Sequence, residues 1–149
     1  MSIKLYVAFY KGKDRIFNKL VSWWTRGLYS HTELVVEASN GMYTCWSSSF
    51  LDGGIRCKMM PLPEDHWDLV EITNLVDNTQ DPLDWFMRHL GCKYDVIGLI
   101  GFIFRRVADD KYEFFCSEAI GNAIGIKEAW RFDPNTLAAV LTSDVFIKK

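Results

Sequence analysis

A cysteine at the start of a predicted helix is the residue in this sequence with the clearest chemical potential. Residues 112–115 have the bulky pattern of a strand, and a helical pattern begins directly at Cys116. The N-terminus of a helix carries partial positive charge, which stabilises a thiolate. A catalytic thiolate is paired with a histidine that is distant in sequence. Cys116 is therefore a candidate nucleophile.

His31 is the candidate base for this thiol. It opens a predicted strand, residues 31–37, whereas His66 lies in a charged loop and His89 lies near the end of a predicted helix. Side chains alternate along a strand, so His31 shares a face with Glu33. A carboxylate in that position can accept the imidazole N–H and fix the tautomer, which is the role of the third member of a catalytic triad.

A predicted hairpin supplies a second candidate for this third member. Asn40-Gly41 is a strong signal for a two-residue turn. Such a turn places Ser48 opposite Glu33 and diagonal to His31. Glu33 and Ser48 are both candidates, and the sequence does not decide between them. A register shift of one residue would replace Ser48 on that face by Ser47.

Composition and charge exclude several classes of function. The 149 residues are 49% hydrophobic and 24% charged, which is typical of one globular domain spanning residues 1–149. The net charge is −2, and no basic stripe with interleaved aromatic residues occurs, so nucleic acid is not an expected partner. The four cysteines form no Cys-x-x-Cys pair and have no histidine at zinc-ligand spacing. We therefore expect no metal and no cofactor, and the oligomeric state stays open.

The sequence predicts a cytoplasmic protein with reduced thiols. Its start lacks the basic and apolar segments of a secretory signal. The longest apolar run, residues 96–104, is too short to span a bilayer and is typical of a buried helix. Arg105 and Arg106 directly after this run leave an interfacial membrane anchor as the alternative, although membrane contact is disfavoured.

The pattern of elements predicts an α+β fold with an antiparallel sheet and packed helices. Helix starts are marked by Asp81-Pro82 and Asp133-Pro134, where an N-cap residue precedes proline at the first helical position. The predicted strands are residues 3–10, 31–37, 42–48, 55–60, 67–72 and 145–147. The predicted helices are residues 14–24, 82–90, 94–104, 116–124 and 134–141.

Four segments resemble, in the same order, the circularly permuted NlpC-like (YiiX-like) cysteine peptidases of the papain-like superfamily. Cys116-Ser117-Glu118 resembles the nucleophile segment of that family, and Ser30-His31-Thr32-Glu33 resembles its histidine strand, which precedes the cysteine. Gly91-Cys92-Lys93-Tyr94-Asp95 resembles a Gly-x-x-Tyr-Asp segment, and residues 132–137 resemble a Pro-x-x-Leu segment. The sequence departs from the family in its His-Thr-Glu, where a small apolar run such as His-Val-Gly is usual. Ser48 fits the family's usual location for the third polar residue.

The resemblance implies a circularly permuted papain-like (NlpC-type) fold and a thiol hydrolase, either a peptidase or an amidase. Cys116 would be the nucleophile and His31 the base, with Glu33 or Ser48 orienting the ring. Tyr94 and Tyr112 are candidates to line the substrate cleft, and core packing is the alternative for each. The expected substrate is a small peptide-like or cell-wall-derived amide, such as a peptidoglycan peptide, and a phage-encoded or cytoplasmic bacterial enzyme fits the lack of a signal segment. The alternatives are a catalytically silent module that binds a peptide or lipid, and a thioesterase or acyltransferase on the same scaffold.

Overall fold

The protein has an α+β architecture in the computed structural model, which describes residues 3–12, 26–95 and 114–143. Within these ranges it forms five strands and three α-helices, in agreement with the α+β prediction. The strands are β1 (Leu5–Tyr10), β2 (His31–Glu37), β3 (Met42–Ser49), β4 (Gly54–Pro61) and β5 (Trp67–Glu71). The helices are α1 (Gln80–His89), α2 (Cys116–Ala123) and α3 (Pro134–Thr142), with a short 3-10 helix at Ala129–Arg131.

The strands form one antiparallel sheet in the order β4-β3-β2-β1-β5, so that β2 lies at its centre. The helices cover one face of this sheet, and α2 contacts β2, β3, α1 and α3. The core on this side joins apolar side chains of the strands to those of the helices. It includes Leu5, Val7, Phe9, Leu34, Phe86, Ala119, Ile120 and Leu137. Burial of this apolar surface holds α2 against the central strand.

A smaller apolar cluster lies on the other face of the sheet, formed by Ala8, Val35, Cys45 and Leu62. Alternation along β2 places His31 and Glu33 on the same face as Val35. His31 is the first residue of β2. Its side chain therefore lies at the end of the sheet.

The turn between β2 and β3 forms as predicted, but it is accompanied by a β-bulge. Asn40 and Gly41 adopt positive φ angles of 61° and 72°, and the Met42 N–H donates to the Ser39 carbonyl. The Met42 carbonyl accepts from the Ala38 N–H, which leaves one extra residue on the β2 side. This extra residue shifts the pairing of the two strands by one position.

The prediction that Ser48 lies opposite Glu33 is consequently wrong. Leu34 pairs with Trp46, and continuation of this register places Ser47 opposite Glu33. Ser48 is one residue further along β3, so it faces the helices.

A glycine on β4 allows Cys92 and Lys93 to approach the edge of this strand. Gly54 has a φ of 146°, and a Cβ atom there would lie 1.9 Å from the Cys92 carbonyl oxygen. Gly54 forms a β-bridge with Lys93, whose carbonyl accepts from the Phe114 N–H at 3.0 Å. These contacts place Tyr94 beside the segment that leads into Cys116.

Several predictions lie outside the described residues, namely the helix at residues 14–24, the apolar run at 96–104, the strand at 145–147 and the role of Tyr112. Among the residues that the structure describes, no helix is long and apolar enough to cross a membrane.

Candidate active site

Cys116 is the first residue of α2, and Phe115 precedes it in extended backbone as the N-cap residue. Only 5% of Cys116 is exposed. The Glu118 carboxylate accepts a hydrogen bond from the Phe115 N–H at 3.3 Å, which satisfies a donor at the start of the helix. The predicted position of the thiol, at the positive end of a helix, is therefore the one that the structure has.

Two serine hydroxyls hold the backbone around this cysteine. Ser48 Oγ donates to the carbonyl of Phe114, and Ser117 Oγ donates to the carbonyl of Phe132 at 2.6 Å. Ser48 and Ser117 are both fully buried. Ser48 thus supports the segment that leads into the nucleophile. It does not provide the hydrogen bond that orients His31, and the sequence-based alternative that gave it this role is not the arrangement observed.

His31 interacts with both Glu33 and Cys116. Its Nε2 is 2.7 Å from Glu33 Oε1, and the Cys116 side chain is near enough for its charge to act on the ring. Burial lowers the pKa of His31, but the charges of Cys116 and Glu33 and the hydrogen bond with Glu33 outweigh it and raise this pKa to about 10. The imidazole therefore carries its second proton at neutral pH.

Glu33 is fully buried and receives two hydrogen bonds from one arginine. Arg56 Nη1 lies 2.5 Å from Glu33 Oε2, and Arg56 Nη2 lies 2.5 Å from Glu33 Oε1. Burial raises the pKa of the Glu33 carboxyl, but the hydrogen bonds and charges of Arg56 and His31 outweigh it and lower this pKa below its ordinary value. Glu33 is thus a carboxylate that faces a cation on each side.

The network continues from Arg56 to the turn between β3 and β4. Arg56 Nε donates to Asp52 Oδ2 at 3.0 Å, and Lys58 Nζ donates to Asp52 Oδ1. Acidic and basic groups therefore alternate from Glu33 to Lys58. Each acidic group in this row is flanked by basic groups, which offsets the cost of its removal from water.

Arg56 is a residue of the site that the local sequence pattern does not indicate. It lies directly opposite Ser47 on the neighbouring strand, and Ser47 lies opposite Glu33 in the observed register. The serine between them is small, so the guanidinium can reach across it to the carboxylate. An arginine on a nearby strand can indicate a partner for a buried glutamate. Here that signal identifies Arg56 only once the register set by the bulge is known.

Tyr94, the predicted cleft residue, lies near enough to Cys116 for the charge of this side chain to act on it. It is 9% exposed, and its ring packs edge-on against Phe50 with centroids 5.8 Å apart. Burial, followed by the charges of Cys116 and Asp95, raises the pKa of Tyr94 well above its ordinary value. The hydroxyl is therefore a neutral hydrogen-bond donor near the thiol. Its role toward a substrate stays a prediction.

The remaining thiols have different surroundings. Cys45 is fully buried, and burial, followed by the charge of Glu33, raises its pKa to about 12. Cys57 is exposed on β4, and partial burial raises its pKa as well. Both are neutral thiols at neutral pH. Cys116, by contrast, interacts with His31.

The other two histidines have partners of their own. His89 Nδ1 donates to the Trp85 carbonyl at 2.7 Å, and the His89 ring stacks on the Trp85 ring at 4.0 Å. His66 is exposed and lies 3.5 Å from Asp65. In residues 3–12, 26–95 and 114–143, no group of three or more histidine, cysteine, aspartate or glutamate side chains could hold a metal ion.

The arrangement can perform nucleophilic chemistry at a carbonyl group. It places a thiol at a helix N-terminus, an imidazolium beside the thiol, and a carboxylate behind the imidazolium. An imidazolium next to a thiol favours the thiolate, and the proton on the ring is available to a leaving group. A scan against protein-family models and a search of curated proteins found no match for this chain.

Proposed function

We propose that this protein is a cysteine-nucleophile hydrolase that cleaves a peptide-like amide. The observation that carries the proposal is the position of His31, whose Nε2 lies 2.7 Å from Glu33 Oε1 and whose ring interacts electrostatically with Cys116 at the start of α2. A nucleophile, a base and a group that orients the base are the three parts of a catalytic triad. We assign them to Cys116, His31 and Glu33 in that order.

In the proposed reaction, Cys116 Sγ attacks the carbonyl carbon of the substrate while His31 holds the proton taken from the thiol. His31 then gives this proton to the amine as the carbon–nitrogen bond breaks, which leaves an acyl group on the sulfur. A water molecule then attacks the acyl carbon while His31 accepts its proton. The carbon–sulfur bond breaks, His31 returns this proton to Sγ, and the carboxylic acid product leaves. Glu33 keeps its charge throughout and stabilises the imidazolium across the 2.7 Å hydrogen bond.

The start of α2 supplies groups to stabilise the oxyanion formed by the attack. The first N–H groups of a helix have no partners within the helix and point away from its N-terminus. A donor of this kind is typically worth about 2.7–4 kcal/mol in the transition state. We assign this role to the backbone N–H of Cys116, and Tyr94 stands as the neighbouring donor on the cleft wall.

We further propose that the chain has a circularly permuted papain-like fold and acts on peptidoglycan peptides or similar small amides. The histidine strand precedes the cysteine helix in the chain, which is the order of the permuted NlpC-like enzymes that the sequence resembles. The five-stranded antiparallel sheet with α2 packed on it is compatible with this fold.

Alkylation of the native protein with iodoacetamide tests the proposal, with the modified cysteines located by mass spectrometry. Cys57 is exposed and provides an internal comparison, whereas Cys116 is 5% exposed. Accessibility alone would make Cys57 react first. The proposal expects Cys116 to react on the order of tenfold faster than Cys57 at pH 7, because the paired thiol is activated. His31→Ala should slow the reaction of Cys116 by about 100-fold.

Hydrolysis of a panel of peptidoglycan-derived peptides, with Cys116→Ala as the inactive control, tests the substrate class. Cleavage by the wild type alone supports the proposal. A Cys116 that reacts no faster than Cys57 and does not respond to His31→Ala would overturn the catalytic assignment.

A further inference from the structure

Arg56 uses all three of its guanidinium nitrogens on two carboxylates. Nη1 and Nη2 each lie 2.5 Å from an oxygen of Glu33, and Nε lies 3.0 Å from Asp52 Oδ2. The Arg56 side chain is 15% exposed, and that of Glu33 is fully buried. The planar fork of arginine matches the two oxygens of a carboxylate and fixes their plane as well as their distance.

We propose that Arg56 is a positioning residue of the active site, which acts through Glu33 on His31 and thereby on Cys116. The inference rests on the proposed function, since it concerns the same nucleophile and base. The role of Arg56 is to hold Glu33 ionised and to keep Glu33 Oε1 directed at His31 Nε2.

The burial of Glu33 makes this role necessary. A carboxylate removed from water takes up a proton unless a cation or hydrogen-bond donors compensate it. Among the described residues, the charged and titratable groups that interact with Glu33 are Arg56 of β4, His31 of its own strand, the thiol of Cys45 on β3, and the thiol of Cys57, which lies on the opposite face of β4. Both thiols are neutral at neutral pH. Arg56 is therefore the cation that can keep Glu33 charged without taking part in proton transfer.

The strand pairing and the next turn hold Arg56 in place. Ser47 lies directly opposite Arg56, and its hydroxyl donates to the Thr32 carbonyl at 2.6 Å. The Ser47 hydroxyl thus donates to the backbone, while Arg56 donates to Glu33. On the other side, Asp52 accepts from Arg56 Nε and is held in turn by Lys58. The guanidinium is anchored at both ends, so its fork has one orientation toward Glu33.

Two variants of Arg56 separate its charge from its geometry. Arg56→Gln removes the charge and the fork, whereas Arg56→Lys keeps the charge and removes the fork. Arg131→Gln is a matched control, because Arg131 forms an exposed pair with Glu128 on the surface. Two quantities are measured for each protein: the pKa of His31 by NMR titration of the imidazole ring, and the rate of Cys116 alkylation.

In Arg56→Gln, Glu33 is expected to become neutral, and the pKa of His31 should fall by about one to three units. The alkylation rate of Cys116 at pH 7 should fall with it by on the order of tenfold. In Arg56→Lys the pKa of His31 should stay within about one unit of the wild type, while Cys116 alkylation slows because Oε1 loses its fixed direction. Arg131→Gln should change neither quantity.

An unchanged pKa of His31 in folded Arg56→Gln overturns the inference. If Arg56→Gln does not fold, Arg56→Lys decides, and wild-type alkylation kinetics in that variant overturn it. The proposed function fails in a different way, through a wild-type Cys116 that reacts no faster than Cys57. In that case the NMR titration still measures whether Arg56 controls His31.

Discussion

The imidazole of His31 is oriented by the Glu33 carboxylate, whose Oε1 lies 2.7 Å from His31 Nε2. Glu33→Gln keeps the shape of this side chain and removes its charge. We expect the pKa of His31 to fall by about one unit or more, because a carboxylate no longer stabilises the imidazolium. The variant should also lose about 3 kcal/mol of stability, because Arg56 loses its bidentate partner and keeps only the hydrogen bond to Asp52. NMR titration of the ring and urea unfolding measure the two effects.

Ser48→Ala is the matched comparison, because Ser48 was the other candidate partner of His31. Its hydroxyl donates to the Phe114 carbonyl. Its loss should cost about 0.5–1.5 kcal/mol of stability, because the Phe114 carbonyl loses one hydrogen bond and keeps the one from the Asp95 N–H at 3.3 Å. The pKa of His31 should stay at its wild-type value. The opposite pattern, in which Ser48→Ala lowers this pKa and Glu33→Gln does not, would contradict the assignment of Glu33.

At the scale of the elements, the sequence predicts which residue begins a helix and which residues share a face of one strand. It does not predict which residues pair across two strands. Cys116 at a helix start, and His31 with Glu33 on one face, follow from local periodicity alone. The partners across strands depend on register, and the bulge beside Ala38 changes it by one residue. For that reason the sequence predicts the wrong face for Ser48 and does not indicate that Arg56 lies near Glu33.

The N-terminus of α3 holds the chain where it enters β2. Asn135 Oδ1 accepts from the Tyr29 N–H at 2.8 Å, and Asn135 Nδ2 donates to the Tyr29 carbonyl at 2.8 Å. The asparagine amide thus pairs with this backbone as a neighbouring strand would. Tyr29 is two residues before His31, so the clamp fixes the start of the catalytic strand.

Asn135→Ala should therefore affect both stability and the site. We expect a loss of about 1–3 kcal/mol in the free energy of unfolding, because two backbone groups lose their partners. Cys116 alkylation should slow as well, since His31 is held less firmly. Asp133→Ala is the control. Asp133 caps the same helix by accepting from the Asn135 and Thr136 N–H groups at 2.8 and 3.1 Å.

Loss of that cap should cost about 0.5–2 kcal/mol and leave the alkylation rate unchanged. Urea unfolding and alkylation kinetics on the same samples distinguish the two variants. Equal alkylation rates in Asn135→Ala and wild type would mean that the clamp has a structural role only.

At the scale of the whole molecule, the sheet separates two kinds of stabilisation. One face buries apolar side chains against the helices. The other carries, beside a smaller apolar cluster, a row of charges from His31 and Glu33 on β2, across β3, to Arg56 and Lys58 on β4 and Asp52 in the turn before it. The first contribution is largely independent of pH. The second requires that the carboxylates be ionised, so it gives the stability of the fold a dependence on pH.

Asp52 allows the sign of this dependence to be tested outside the catalytic residues. Burial raises the pKa of Asp52, but hydrogen bonds from Lys58, Arg56 and Ser49 outweigh it and lower this pKa to about 2. Between its ordinary value of 3.8 and about 2, the unfolded chain binds a proton that the folded protein does not. The contribution of Asp52 is therefore present above pH 3.8 and is lost as the pH falls through about 2.

Asp52→Asn should lower the free energy of unfolding by about 1–2 kcal/mol at pH 7, after allowance for the partial exposure of Asp52. The difference from the wild type should shrink as the pH falls from 4 toward 2, because the wild-type carboxyl then takes up its proton. Urea unfolding at a series of pH values measures the difference, and Asp77→Asn, at an exposed position, serves as the control. A difference between Asp52→Asn and the wild type that stays constant down to pH 2 would contradict the ionic role of Asp52. Because Glu33 also has a lowered pKa, part of the acid sensitivity should persist in Asp52→Asn and coincide with loss of Cys116 reactivity.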